Sequence, residues 1–231
     1  MSEIVAIVEG QTEQTFVRNH LAAHLGAYGI TIWAVLSGKS RKHGGVRKWE
    51  SAQGDILRTL REGRHVTTMF DFYAMPNDWP GRVEATQLAW DQRGAHVEQG
   101  IAKAIAEAVG GSFDNRQLIP YVQLHEFEAL LFADVTKMAN ELAPLSSLQE
   151  DRLTSAFQQI LDAAGQAEAI NDGYETCPSR RIAGIVPAYD KRAQGPIIAG
   201  RIGLETLRAA CPHFGQWLGR LEALGSAGSA S

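Results

Sequence analysis

The sequence predicts an α/β fold, a mainly parallel sheet flanked by helices with a mainly helical C-terminal extension. Three observations carry that reading. Residues 4–8 (IVAIV), 30–36 (ITIWAVL) and 65–71 (HVTTMFD) are short apolar runs, the mark of strands covered on both faces. Between them the apolar residues recur at helical spacing, Val17, Leu21 and Leu25 in one interval and Trp49, Ile56 and Leu60 in the next. Past residue 125 the strand-like runs cease and helical spans take over.

Taken in order, the first strand runs into an acidic turn, Glu9-Gly10, with a second carboxylate at Glu13. Thr12 is positioned to cap the first helix and Gly26 to stop it. After the second strand comes the most basic stretch of the chain, SGKSRKHGGVRK, which carries Lys39, Arg41, Lys42, Arg47 and Lys48 around Gly44-Gly45. Gly63 ends the next helix, and the third strand terminates in Asp71. In a flavodoxin-like order the first and third strands become neighbours at the switch point, which places Glu9 and Asp71 side by side at carboxyl ends, where ligands collect. Residues 72–91, rich in Pro, Gly and aromatics, read as a long surface connection. A helical face at Val97, Ile101, Ile105 and Ala108 follows, then a fourth strand at 117–124 that Pro120 makes irregular or an edge, and a helix at 125–134 opening on Glu126 and Glu128. Helices are expected at 135–143, 147–164, 180–186, 196–210 and 213–223. The domain boundaries expected are an α/β core at 1–124, a helical extension packed on it at 125–224, and a flexible tail at 225–231.

With 45% apolar and 21% charged residues the chain carries enough material for a core. A formal charge of −4 argues against a generally basic nucleic-acid binder, leaving local patches as the route to phosphate. Cys177 and Cys211 stand far apart, with no disulfide or metal spacing, so reduced thiols and a cytoplasmic setting are expected. No apolar run reaches the ~18–20 residues that would cross a bilayer.

Glu9, Glu13 and Asp71 form the first constellation. Clustered carboxylates suit Mg²⁺ or Mn²⁺, because hard cations prefer oxygen donors and retain waters that a phosphate can replace. The competing reading has Glu13 complementing a helix N-terminus and Asp71 merely ending a strand. His125, Glu126 and Glu128 are read either as a second tier of that site or, more simply, as capping a helix whose apolar residues pack in the core. Ser179, Arg180, Arg181, Lys191 and Arg192 make a second basic cluster, suited to clamping a phosphodiester if the helical half folds over the strand ends, and otherwise a solvated face. His20 and His24 sit four residues apart on the first helix, a zinc spacing that lacks the intervening Glu and a third ligand. No phosphate-loop lysine motif is present, so ATP hydrolysis by this chain is not expected.

VEGQTEQ after the first strand and FDFYAMPNDWPG after the third resemble a TOPRIM domain, the Rossmann-like metal-binding module of topoisomerases, primases and overcoming-lysogenization-defect (OLD) nucleases. More closely, VEGQTE, DFYAMPNDWPG, IPYVQLHEFEALLF and PSRRIAGIVPAYDKRAQGP together resemble the TOPRIM-related domain of unknown function 4276. The resemblance implies that Glu9 and Asp71 are the paired carboxylates of that module, that Glu13 is the second glutamate of its nuclease branch, and that Lys191 stands for that branch's late catalytic lysine. Gly10, Ser179 and Arg180 are the expected phosphate contacts. Tyr73 departs from the pattern, standing where the second Asp of Asp-x-Asp belongs, with Asp78, Glu126 or Glu128 as candidate replacements. The implied activity is Mg²⁺- or Mn²⁺-dependent cleavage of DNA or RNA, in phage defence beside an ATPase of the ABC or structural-maintenance type. A catalytically degenerate module that binds nucleic acid or the ATPase is the alternative, and a small-nucleotide hydrolase or phosphotransferase a third.

Overall fold

The computed structural model describes residues 2–38, 48–110, 114–170, 173 and 176–226. Lys39, Arg41, Lys42 and Arg47 of the basic loop therefore lie outside the described residues, as does the tail from 227.

The sheet is parallel throughout. Strand β1 (Ser2–Val8) pairs with β2 (Ile30–Leu36) on one side and β3 (His65–Asp71) on the other, with Val8 opposite Met69. Two short strands, β4 (Leu118–Ile119) and β5 (Val122–Gln123), follow one another along β3, giving the order β2-β1-β3-β4 with β5 beside β3. Pro120 explains the interruption, since it has no N–H for the ladder. Threonines of β3 bridge the gap: Thr67 Oγ1 donates to Ile119 O at 2.6 Å, while Thr68 Oγ1 donates to Tyr121 O and accepts from Tyr121 N, both at 2.9 Å.

Both faces of the sheet are dry. Along β1, Ile4, Ala6 and Val8 enter one core while Val5 and Ile7 enter the other, which is why the strand reads as a continuous apolar run. The first helical run comprises α1 (Gln11–Phe16), a π-helical turn at Val17–Leu21 and α2 (Ala22–Gly26). Its Phe16, Leu21 and Leu25 cover the first face together with Phe214, Trp217 and Leu221 of α11 (Pro212–Ser226). The same core runs on through Leu130, Phe132 and Phe157, so the C-terminal helices share it with the sheet. Helices α3 (Trp49–Arg61), with Ala52 and Ile56, and α5 (Trp90–Val109), with Val97, Ile101 and Ile105, cover the second face; the short α4 (Arg82–Ala85) lies between them in the chain. The remaining helices are α6 (Val135–Leu142), α7 (Glu150–Ala164), α8 (Pro178–Ile185), α9 (Lys191–Ile202) and α10 (Leu204–Ala210).

Several local expectations need correction. Gly10, not Thr12, is the N-cap of α1, and Thr12 is buried inside the helix. Residues 72–91 are no simple surface loop: Phe72, Met75 and Trp79 are buried in the second core, and α5 already begins at Trp90. The segment Phe127–Asp134 is a 3₁₀ helix. The span 196–210 is two helices, because Gly203 at φ 86° breaks α9 from α10. Helix α11 also continues to Ser226, past the start of the expected tail.

Candidate functional site

The carboxyl ends of β1 and β3 lie side by side, and the side chains there are tied together. The backbone N–H of Glu9 donates to Met69 O at 3.1 Å, and the Asp71 N–H donates to Glu9 Oε2 at 3.1 Å. Gly10 then turns the chain into α1, which sets buried Glu13 in the first helical turn. A Cβ at Gly10 would stand 3.0 Å from Glu13 Oε2, the end of a flexible side chain, so glycine leaves room for that carboxylate.

The chain beyond β5 brings further acids. Phe72 N–H donates to Gln123 O at 3.0 Å and Tyr73 N–H to His125 O at 3.1 Å, so the segments after β3 and β5 run on together past the sheet. His125 is the one non-glycine residue with positive φ among the described residues, at 67°. That conformation costs about 1–2 kcal/mol and redirects the chain into the 3₁₀ helix that carries Glu128, which is fully buried.

Helix α9 arrives from late in the sequence and lies against α1. Its glycines permit the approach: a Cβ at Gly195 would meet Thr12 Cγ2 at 3.3 Å, and one at Gly200 would stand 2.1 Å from the His20 ring. Lys191 opens this helix. As a residue it is exposed, yet enough protein surrounds its ammonium that burial pulls its pKa down. Glu128, Asp71, Glu126 and Glu13 more than offset that pull and hold the lysine above its ordinary value, firmly charged.

The acids repel one another. Burial, then Glu13, pushes Glu9 up to about 7 against the Asp71 N–H bond and Lys191. Burial likewise raises Glu13, opposed by backbone N–H donors and Lys191. Asp71 is held well above the usual carboxylate range by burial, Glu9, Glu13 and Glu128, and its Oδ1 is buried with no hydrogen-bond partner. Glu128 is pushed up to about 7, chiefly by burial. Four such groups cannot all ionise near neutrality without a counter-cation beyond Lys191.

The other candidates are engaged differently. Asp78 is exposed and accepts the Trp49 N–H at 3.0 Å, capping α3 from outside. Glu126 caps α8, accepting Ser179 N–H at 3.0 Å and Ser179 Oγ at 3.1 Å. Ser179 is thus committed to Glu126, while Arg180 is exposed on the same helix. His125 is buried and held down to about 4 by burial and by Arg93. Of these acids Glu128 has the least committed oxygens among the described residues, accepting a side-chain bond from Tyr189 Oη at 3.4 Å. Tyr189 was not singled out from the sequence; its place two residues before Lys191 was the available signal. His20 and His24 make no zinc site: His20 Nε2 lies 2.8 Å from Pro196 O, and His24 Nε2 2.6 Å from Glu222. Among the described residues no three His, Cys, Asp or Glu side chains form a ready-made metal cage.

The donor set nevertheless fits a hard cation. It is all carboxylate oxygen, mutually repelling, with one buried oxygen lacking any partner.

The fold is a parallel α/β sheet with acids at the ends of its two central strands and a helix opened by Lys191 beside them. Residues 8–222 match the family described as "Domain of unknown function (DUF4276)", and the chain belongs to that family. Its fold is similar to that of the C-terminal region of the Xanthomonas campestris pv. campestris OLD protein, with a TM-score of 0.50 and 18% identity over 100% of this chain and 99% of that one. No curated protein matches. Among the described residues no helix is long and apolar enough to cross a membrane.

Proposed function

We propose that this chain is a Mg²⁺- or Mn²⁺-dependent nuclease acting on phosphodiesters of DNA or RNA. The observation that carries the reading is the bond from the Asp71 backbone N–H to Glu9 across β1 and β3, with Asp71 Oδ1 buried and without a partner among the described residues. Glu9, Asp71 and Glu13 are the residues that would hold the metal, and Glu128 supplies the carboxylate lacking at Tyr73. When bound, the metal polarises a phosphoryl oxygen and lowers the pKa of a coordinated water. Lys191, kept protonated by the surrounding acids, neutralises charge on the phosphate, and Arg180 extends that positive edge. Glu126 orients α8 through Ser179 and so positions Arg180. With the sequence resemblance to the OLD branch of TOPRIM nucleases goes a partnership with an ABC- or structural-maintenance-type ATPase in phage defence.

Calorimetric titration with Mn²⁺, beside cleavage of labelled single- and double-stranded DNA and RNA, tests the reading. Saturable Mn²⁺ binding and cleavage are expected, and Glu9→Gln and Asp71→Asn should each abolish both. Cleavage that persists in both variants sinks the assignment. The lack of a ready-made acid trio among the described residues and the presence of Tyr73 favour a second reading, a binding module without catalysis. Nucleic-acid binding with neither Mn²⁺ uptake nor cleavage would establish it.

A further inference from the structure

Behind the carboxylate cluster lies a cavity of about 430 Å³, within the roughly 300–1,000 Å³ of small-molecule sites. Trp90 and Arg93 enter it from the first turn of α5, Arg181 from α8 and His125 from the bend after β5. Ile160, Ala163 and Ala164 of α7, with Ala169 and Ile170, complete the wall. Among the described residues no carboxylate lines it, in a chain of net charge −4.

The cations here are unbalanced. Arg93 Nε donates to Leu88 O at 3.1 Å and Arg181 Nε to Thr176 O at 2.5 Å, which orients both guanidinium groups, but neither has a carboxylate within ion-pair distance among the described residues. Other arginines do have such partners, among them Arg58, Arg64, Arg201 and Arg208. Next to Arg93, Arg82 lies over the Phe72 ring, 4.1 Å from its centroid, and its Nη1 is buried with no hydrogen-bond partner. Burial, then repulsion from Arg93, lowers the Arg82 pKa. Such a concentration of positive charge, with no acid paired to it among the described residues, suits an anion from outside. Trp90 is half-buried, its ring 6.4 Å from that of His125, and offers an aromatic wall beside the two arginines.

We propose that this cavity binds a single nucleotide, its phosphate between Arg93 and Arg181 and its base against Trp90. A guanidinium pair suits phosphate geometry, and a tryptophan face accepts any base. The cavity adjoins the acid cluster along the chain: His125 precedes Glu126, and Arg181 shares α8 with the Ser179 that Glu126 caps. This deepens the nuclease reading, because a strand crossing the carboxylates would place a flanking nucleotide here.

The test is metal-free. The full chain in EDTA is titrated with 2′-deoxyadenosine 5′-monophosphate, deoxyadenosine and inorganic phosphate, and binding is followed by calorimetry. Saturable binding of the monophosphate is expected, at least tenfold tighter than of either fragment. Arg93→Gln, Arg181→Gln and Trp90→Ala should each weaken it at least tenfold. Ala163 is exposed, so Ala163→Trp fills the cavity from the α7 wall without touching the arginines, and it should produce the same loss. Absence of binding by the intact chain, or undiminished binding in Ala163→Trp or in both arginine variants, overturns the proposal. So does inorganic phosphate binding as tightly as the monophosphate with Trp90→Ala unchanged. Because the readout needs neither metal nor cleavage, its failure is separate from failure of Glu9 and Asp71 to support cleavage.

Discussion

Two sets of buried carboxylates in this molecule are treated in opposite ways. Around α11, each buried acid among the described residues is matched by donors. Glu98 accepts Val122 N–H and faces His213 Nε2, both at 2.9 Å. Glu168 accepts the His213 and Phe214 N–H groups, each at 3.0 Å, at the start of α11. Glu222 lies between His24 and Arg208. At the strand ends, by contrast, Glu9, Glu13, Asp71 and Glu128 press on one another, and the charged group that answers them is Lys191. Acids that hold the fold together are given their partners by the fold. Those of the cluster are left short of positive charge, which is what the proposed cation site requires.

The comparison can be broken at its strongest point with Glu128→Gln. If Glu128 completes the cluster, cleavage should fall by about a hundredfold or more while the melting temperature in EDTA holds or rises, since a buried repulsive charge is removed. A drop in that melting temperature would move Glu128 into the structural set. The reverse signature is expected of Glu98→Ala. It leaves Val122 N–H and His213 without their acceptor, so urea denaturation should show a loss of about 3 kcal/mol with Mn²⁺ affinity unchanged.

The cluster also predicts a pH dependence of stability. Glu9 and Glu128, pushed from 4.5 to about 7, keep protons in the folded chain that the unfolded chain releases. Their contribution is therefore fully present below about pH 4.5 and is lost as pH rises through about 7, by an amount of order a few kcal/mol at most. Thermal melts in EDTA at pH 5.5 and 8 should show it, and Mn²⁺ should restore more stability at pH 8. Equal stabilisation by Mn²⁺ at both values would contradict the argument. The smallest effect belongs to Glu126, which stands between the two sets. Glu126→Ala should cost about 1 kcal/mol of stability through loss of the α8 cap, with Mn²⁺ affinity shifted less than in Glu128→Gln.

The sheet was legible because its physics is local. The runs at 30–36 and 65–71 coincide with β2 and β3, and Pro120 marks the break between β4 and β5. The adjacency of Glu9 and Asp71 followed from parallel topology and is seen in their hydrogen bond. What escaped depends on long-range packing. Trp79 sits in a stretch that reads as loop, yet it is buried against Phe70, with ring centroids 4.7 Å apart. The sorting of Asp78, Glu126 and Glu128 was beyond reach of sequence, because it is decided by Trp49 and Ser179, distant residues that claim the first two. The Glu98–His213 pair spans 115 residues, and an acid next to the apolar stripe Val97, Ile101 and Ile105 was its one trace.

The seam between α1 and α9 has a consequence for how this chain is made. The acids come from residues 9–128, but the lysine that answers them waits until residue 191, and its helix is seated through Gly200 against His20, 180 positions apart in the chain. During synthesis the sheet can form with its acids exposed to the solvent long before their cation emerges. Closing so long a loop is slow relative to local pairing, so the complete constellation is assembled last. A nascent or truncated chain ending before α9 would carry the carboxylates without the group poised to meet phosphate, and any cutting activity would begin only when the seam closes.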